Sequence, residues 1–249
     1  MTAVNMMIQA KARAGFIISD TAVTSPEGRL IESCPKVLYG IGRFPWAMGI
    51  TGDVHPKIML QAIGAFNPLS YKQLVKTLPL ALHDAIQRQA EGQGFEPDYF
   101  SVTLTGAAWD FVKKRPVGFI VTSKEGFSHA GIDPFMFYET SSSLTGGEIP
   151  YVQSIAGEDG GIVVDHTRFD PERDGLQLID IQRRAPLVPR NSGCSDYPHR
   201  IGCEVLLTKV TKRGVVNWML HDYGDTLGEF IDPARDMINN TLGVGIDAA

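Results

Sequence analysis

Apolar residues run nearly unbroken through the start of the chain and then change period. AVNMMIQ (3–9) and GFIIS (15–19) are β-prone runs separated by the polar stretch Ala10 to Ala14, the pattern of two strands joined by a turn. Ser25-Pro26-Glu27-Gly28 carries turn chemistry, because proline presets φ and glycine accepts a positive one. Lys36 to Ile41 and Trp46 to Thr51 read as a second strand pair, interrupted at Gly42-Arg43-Phe44-Pro45. From Val54 to Phe66 the spacing of Ile58, Leu60, Ala62, Ile63 and Phe66 becomes helical, with Asp53 the expected N-cap. A second helix is predicted from Ser70 to Ala90. Ser70 and Gln73 have capping-box spacing, and Leu74, Leu78, Leu82 and Ile86 recur every four residues. Pro79 lies inside that run and predicts a kink, since it lacks an N–H and crowds the preceding turn.

Strand patterning returns at 98–106, 116–122 and 126–132, and the segment from Asp133 to Asp165 is the least regular. Asp170-Pro171-Glu172 opens a third helix, with an acid at the cap and proline in the first turn, continued by Leu176, Ile179 and Arg183. After a loop at 186–200, strands are predicted at 203–210 and 214–220 around Lys212-Arg213-Gly214. Segregated runs of strands and helices, rather than alternating βαβ units, point to a layered α+β fold with two sheets covered by helices.

Composition narrows the functional classes. With 43% apolar and 20% charged residues, the 249-residue chain can bury a sizeable core. A net charge of −5 argues against nucleic acid or an anionic membrane as the main partner. No apolar run reaches the roughly 18 residues of a membrane span. MTAVNMMIQAKARAG lacks the layout of a secretion signal, so a cytoplasmic protein is expected. Cys34, Cys194 and Cys203 are scattered, which favours reduced thiols over a disulfide framework and makes a cysteine-based metal site unexpected. The six histidines stand alone, none three or four residues from another. No phosphate-loop, dinucleotide, nucleophile-elbow or zinc-protease motif is present. His221, Asp222 and Asp225 read as solvated residues at a strand end, and Asn239-Asn240-Thr241 as a chance glycosylation match.

One constellation carries chemistry. Removal of Met1 would expose Thr2, whose hydroxyl and α-amine then share one residue; an α-amine titrates near 7.7–8.0 and can take the hydroxyl proton. Asp20 ends the GFIISD strand, Lys36 follows sixteen residues later, and Gly49 lies within AMGITGD (47–53). In a catalytic reading Lys36 favours alkoxide character, Asp20 holds that lysine charged and oriented, and the Gly49 N–H faces a developing oxyanion. In the plainer reading Asp20 caps a turn, Lys36 is a strand-edge charge and Gly49 packs against a neighbour.

Thr2, the SDT–xx–T stretch from Ser19 to Thr24, PKVLYGIG (35–42) and AMGITGD together resemble the proteasome-type N-terminal-nucleophile hydrolases, most closely the bacterial HslV and Anbu type. The resemblance is strongest over 15–66 and looser to about 220. It implies a four-layer αββα sandwich in a single domain, 1–249, with irregular insertions near 133–169 and 186–200 and a C-terminal extension, 221–249. It also implies stacked homo-oligomeric rings, hydrolysis of peptide or unfolded-protein amides by an N-terminal threonine, and no metal or organic cofactor. Ser195 and Asp196 would correspond to the family's serine-and-acid pair before the closing strand. The spacing from Thr2 to Asp20 is about two residues longer than the family pattern, so the first hairpin must be longer; otherwise Val4 takes the nucleophile position. The alternative is a catalytically inactive structural or assembly protein on the same fold.

Overall fold

The computed structural model describes residues 3–25, 27–40, 43–124, 133–140, 144–146, 170–184 and 200–233. Strands β1 (Val4–Gln9) and β2 (Ala14–Asp20) pair antiparallel, from Val4 opposite Ser19 to Gln9 opposite Ala14. The intervening turn spans Ala10 to Arg13, and Arg13 closes it with a positive φ of 50°. β3 (Ala22–Thr24) and β4 (Leu30–Ser33) form a second hairpin, in which Gly28 at φ 95° donates to the Ser25 carbonyl at 3.0 Å. β5 (Val37–Tyr39) pairs with β6 (Trp46–Gly52), as their apolar runs predict.

Helix α1 (Pro56–Phe66) begins two residues later than its apolar spacing suggested. Its cap is His55, whose Nδ1 accepts from the Lys57 N–H at 3.2 Å, with Pro56 preset in the first turn. Asp53 is not the cap; its carboxylate accepts from the Ser101 N–H at 2.9 Å and ties β6 to the next strand. Helix α2 (Tyr71–Gln93) has Ser70 as its cap, and the Gln73 side chain reaches back to the Leu69 N–H. It continues without a break through Pro79.

β7 (Val102–Asp110) and β8 (Arg115–Thr122) follow a short 3₁₀ turn at Pro97–Tyr99. The strand predicted at 126–132 lies outside the described residues. β9 (Tyr138–Thr140) and β10 (Leu144–Gly146) fall in the stretch whose composition looked irregular. Helix α3 (Arg173–Arg184) is opened by Asp170, whose carboxylate accepts from the Glu172 and Arg173 amides. β11 (Glu204–Thr211) and β12 (Gly214–Asp222) are the last strands among the described residues.

Among the described residues the strands assemble into two antiparallel five-stranded sheets, β10-β1-β2-β11-β12 and β5-β6-β7-β8-β9, with β3-β4 as a separate ribbon. Val4, Met6 and Ile17 of the first sheet meet Val37, Ala47 and Ala107 of the second in one core. A second core packs Met59, Leu74, Leu78 and Leu82 of α1 and α2 against Met48, Leu104 and Phe119. A third packs Ile179 of α3 against Phe16, Ile18, Val205 and Leu207. β2 is thus covered on both faces, which explains why GFIIS is continuously apolar instead of alternating. Gly175 lets α3 approach that closely, since a Cβ there would lie 2.3 Å from Ile18 Cδ1. After β12 the chain runs beside β4: Leu30 donates to the Glu229 carbonyl and Gly228 to the Leu30 carbonyl, each at 2.8 Å. Among the described residues no helix is long and apolar enough to cross a membrane.

Candidate functional site

The site is built where β2 ends. Asp20 is wholly buried, and its two carboxylate oxygens each accept from Lys36 Nζ at 2.9 Å. Oδ1 also accepts from the Ala3 N–H at 3.0 Å; Oδ2 accepts from the amides of Ala22 at 3.2 Å and Gly202 at 3.3 Å. One carboxylate therefore ties together the start of β1, the start of β3, the residue before β5 and the approach to β11. Lys36 is itself only 3% exposed. Burial pulls its ammonium below the usual lysine range, and the adjacent Asp20 charge opposes that pull.

The structure thus brings Asp20 and Lys36 together, while Thr2, Ser195 and Asp196 lie outside the described residues. Gly49 lies in the middle of β6. Ile50 donates to the Lys36 carbonyl on the β5 side at 3.0 Å, whereas Asp53 donates to the Ser101 carbonyl on the β7 side. Amide direction alternates along a strand, so the Gly49 N–H points towards β7, where Gly49 pairs with Thr105. Its Cα face is covered by Val4: a Cβ at Gly49 would lie 2.3 Å from Val4 Cγ1. Close packing explains this glycine.

A second buried ion pair adjoins the first. Arg183 of α3 donates from Nη1 and Nη2 to the two oxygens of Asp225, each at 2.7 Å, with both side chains almost fully buried. The same guanidinium donates to the carbonyls of Ile201 and Asp232, and Asp225 accepts from the Cys203 N–H at 2.7 Å. Residues 201–203 are therefore clamped between the two pairs. Glycine is required at 202, where a Cβ would meet Asp225 Oδ2 at 2.3 Å and Arg183 Nη1 at 2.5 Å. Asp225 is a buried anchor, not the solvated turn residue its local sequence suggests. Burial and the Asp225 charge push the Cys203 thiol up to about 11.

Lys36 also borders a cavity of about 650 Å³, with Thr24, His55, Phe95, Tyr99 and Arg200 among its walls. Beside it, ligand atoms of Glu32, Cys34 and His55 lie within 4.8 Å of one another. This trio could hold a divalent cation, and separation in the sequence concealed it; Glu32 lies in β4, Cys34 just after its end, and His55 at a helix start. Holding a metal would be costly. His55 Nδ1 accepts the Lys57 amide proton, so Nε2 carries the ring proton and faces Glu32 Oε2 at 3.3 Å. Lys57 Nζ already sits on Glu32 Oε1 at 2.8 Å, and burial holds the Cys34 thiol above its ordinary range.

The fold, with its two sheets and covering helices, matches solved structures. Anbu from Hyphomicrobium sp. strain MC1 superposes with a TM-score of 0.56 at 12% identity, covering 90% of this chain and 89% of that one. The fold is that of Anbu. A Gly-1 mutant of the same Anbu gives 0.53 at 13% identity, covering 90% and 88% of the two chains. Anbu from Yersinia bercovieri, described as an ancestral β-subunit, gives 0.57 at 10%, covering 88% and 86%. At this identity the likeness to Anbu shows an α+β fold and assigns no residue a role. Neither a protein-family model nor a curated protein sequence matches the chain.

Proposed function

We propose that this chain is a proteasome-like structural or assembly protein, a single four-layer αββα domain that forms homo-oligomeric rings without hydrolysing peptides. The observation that carries the reading is how the buried pair is used. Asp20 accepts three backbone amides besides Lys36, so the pair acts as a fold anchor. The Gly49 amide belongs to the β6–β7 ladder, which leaves a tetrahedral intermediate without that donor. The three cores between α1–α2, the two sheets and α3 support the four-layer order. Identical subunits joined by heterologous contacts close into rings when the rotation permits.

A second reading, a threonine peptidase or amidase using Thr2, has its own support. The β1–β2 pairing sets Val4 opposite Ser19, and the Ala3 amide next to Thr2 donates to Asp20. Lys36, whose ammonium burial holds below the usual lysine range, borders a cavity of about 650 Å³. Intact mass, turnover of a fluorogenic peptide and light scattering at micromolar concentration separate the two. Rings without turnover, unchanged by Thr2→Ala, are expected. Turnover abolished by Thr2→Ala and Lys36→Ala in an assembled protein lacking Met1 would replace the first reading with the second. A monomer would sink the assembly role.

A further inference from the structure

At the end of the sheets remote from Asp20, the β1–β2 turn, the β11–β12 turn and the end of β7 border an open pocket of about 830 Å³. The charged residues lining it are Arg13, Lys209, Lys212 and Arg213, all cationic, in a chain whose net charge is −5. None of the four forms an ion pair with a carboxylate among the described residues. Strand register brings them together, because Thr211 pairs with both Ala14 and Gly214 and so sets one turn beside the other.

Two of the cations are held in place. The Arg13 guanidinium lies 5.6 Å from the centre of the buried Trp109 ring, and its Nη2 reaches the Lys114 carbonyl, while Arg13 keeps a left-handed backbone. Lys209 Nζ lies 5.6 Å from the Phe16 ring centre. Like charges gathered in one concavity repel each other, and a bound polyanion relieves that repulsion. The cations come from separate strands and turns around a space far larger than one phosphate, so the ligand they fit carries several spaced anionic groups.

We infer that this pocket binds a small ligand bearing two or more phosphoryl groups. Guanidinium forks take phosphoryl oxygens in pairs and the lysines act as point charges, which favours phosphate chains over a single carboxylate. Titration calorimetry of the full chain with tripolyphosphate, ATP and adenosine, at low and moderate salt, tests it. Tripolyphosphate is expected to bind, with affinity falling as salt rises. Lys212→Glu/Arg213→Glu, on an exposed turn, should weaken it at least tenfold. Lys72→Glu/Lys76→Glu on the exposed face of α2 makes the same charge change and should leave it within twofold. ATP binding more tightly than tripolyphosphate assigns the site to a nucleotide, and equal binding assigns it to the phosphate chain; either supports the inference. No binding of either anion at millimolar concentration, equal loss in both double variants, or adenosine binding as well as ATP would overturn it.

Discussion

Replacing Lys36 with methionine keeps most of the side-chain volume and removes only the ammonium, leaving Asp20 as a carboxylate with no accessible surface. Breaking a buried pair by deleting one partner costs about 3–5 kcal/mol, because the remaining charge stays desolvated. Here the amides of Ala3, Ala22 and Gly202 still donate to Asp20, each such bond to a charged group being worth roughly 1.5–3 kcal/mol, so the lower end, about 3 kcal/mol, is expected. Asp20→Asn should cost more, about 4–5 kcal/mol, since an amide NH₂ replaces one oxygen and leaves at least one backbone donor unpaired, a penalty of roughly 1–3 kcal/mol. The double variant no longer buries a lone charge, so its cost should fall short of the sum by about 2 kcal/mol. Urea unfolding followed by circular dichroism, at fixed protein concentration, gives all four values. A Lys36→Met variant within about 1 kcal/mol of wild type, or a strictly additive cycle, would refute the view of the pair as a fold anchor.

Gly49→Ala should destabilise the chain by about 1–3 kcal/mol through the clash with Val4, and adding Val4→Ala should recover part of that loss in thermal melts. Arg183→Lys cannot span two Asp225 oxygens and two carbonyls, so it should cost about 3 kcal/mol and speed tryptic cleavage of the segment after β12. Cys203 is raised from 9.0 to about 11, so above pH 9 an unfolded chain loses the thiol proton while the folded one keeps it. Stability should therefore fall as pH rises from about 9 to 11, by about 2 kcal/mol more in wild type than in Cys203→Ala; parallel stability profiles would contradict this.

β1, β2 and β8 were legible because burial on both faces writes itself as unbroken apolar runs, and α2 because its leucines repeat at four and Ser70 caps it. Asp20 and Lys36 could be paired through a family resemblance but not from spacing, since sixteen residues of hairpin separate them. For Gly49 the residue type was visible, but the direction of its amide depends on strand parity, which a one-residue slip reverses. His55 capping α1 was hidden because histidine is an uncommon cap, although Pro56 beside it marked the helix start. Arg183 and Asp225 lie 42 residues apart, and nothing local distinguishes a buried aspartate from one that caps a turn.

The strand order has a consequence for synthesis. β2 lies between β1, made with it, and β11, made almost two hundred residues later, and the Gly202 amide reaches Asp20 across a separation of 182 residues. While the chain emerges from the ribosome, one edge of β2 has no neighbour and its α3-facing side chains have no cover. Closing so long a loop is entropically slow, so folding is limited by a late, non-local step rather than by hairpin formation. A nascent chain arrested before β11 would present an open, apolar strand edge for pairing with another copy or for capture by a chaperone.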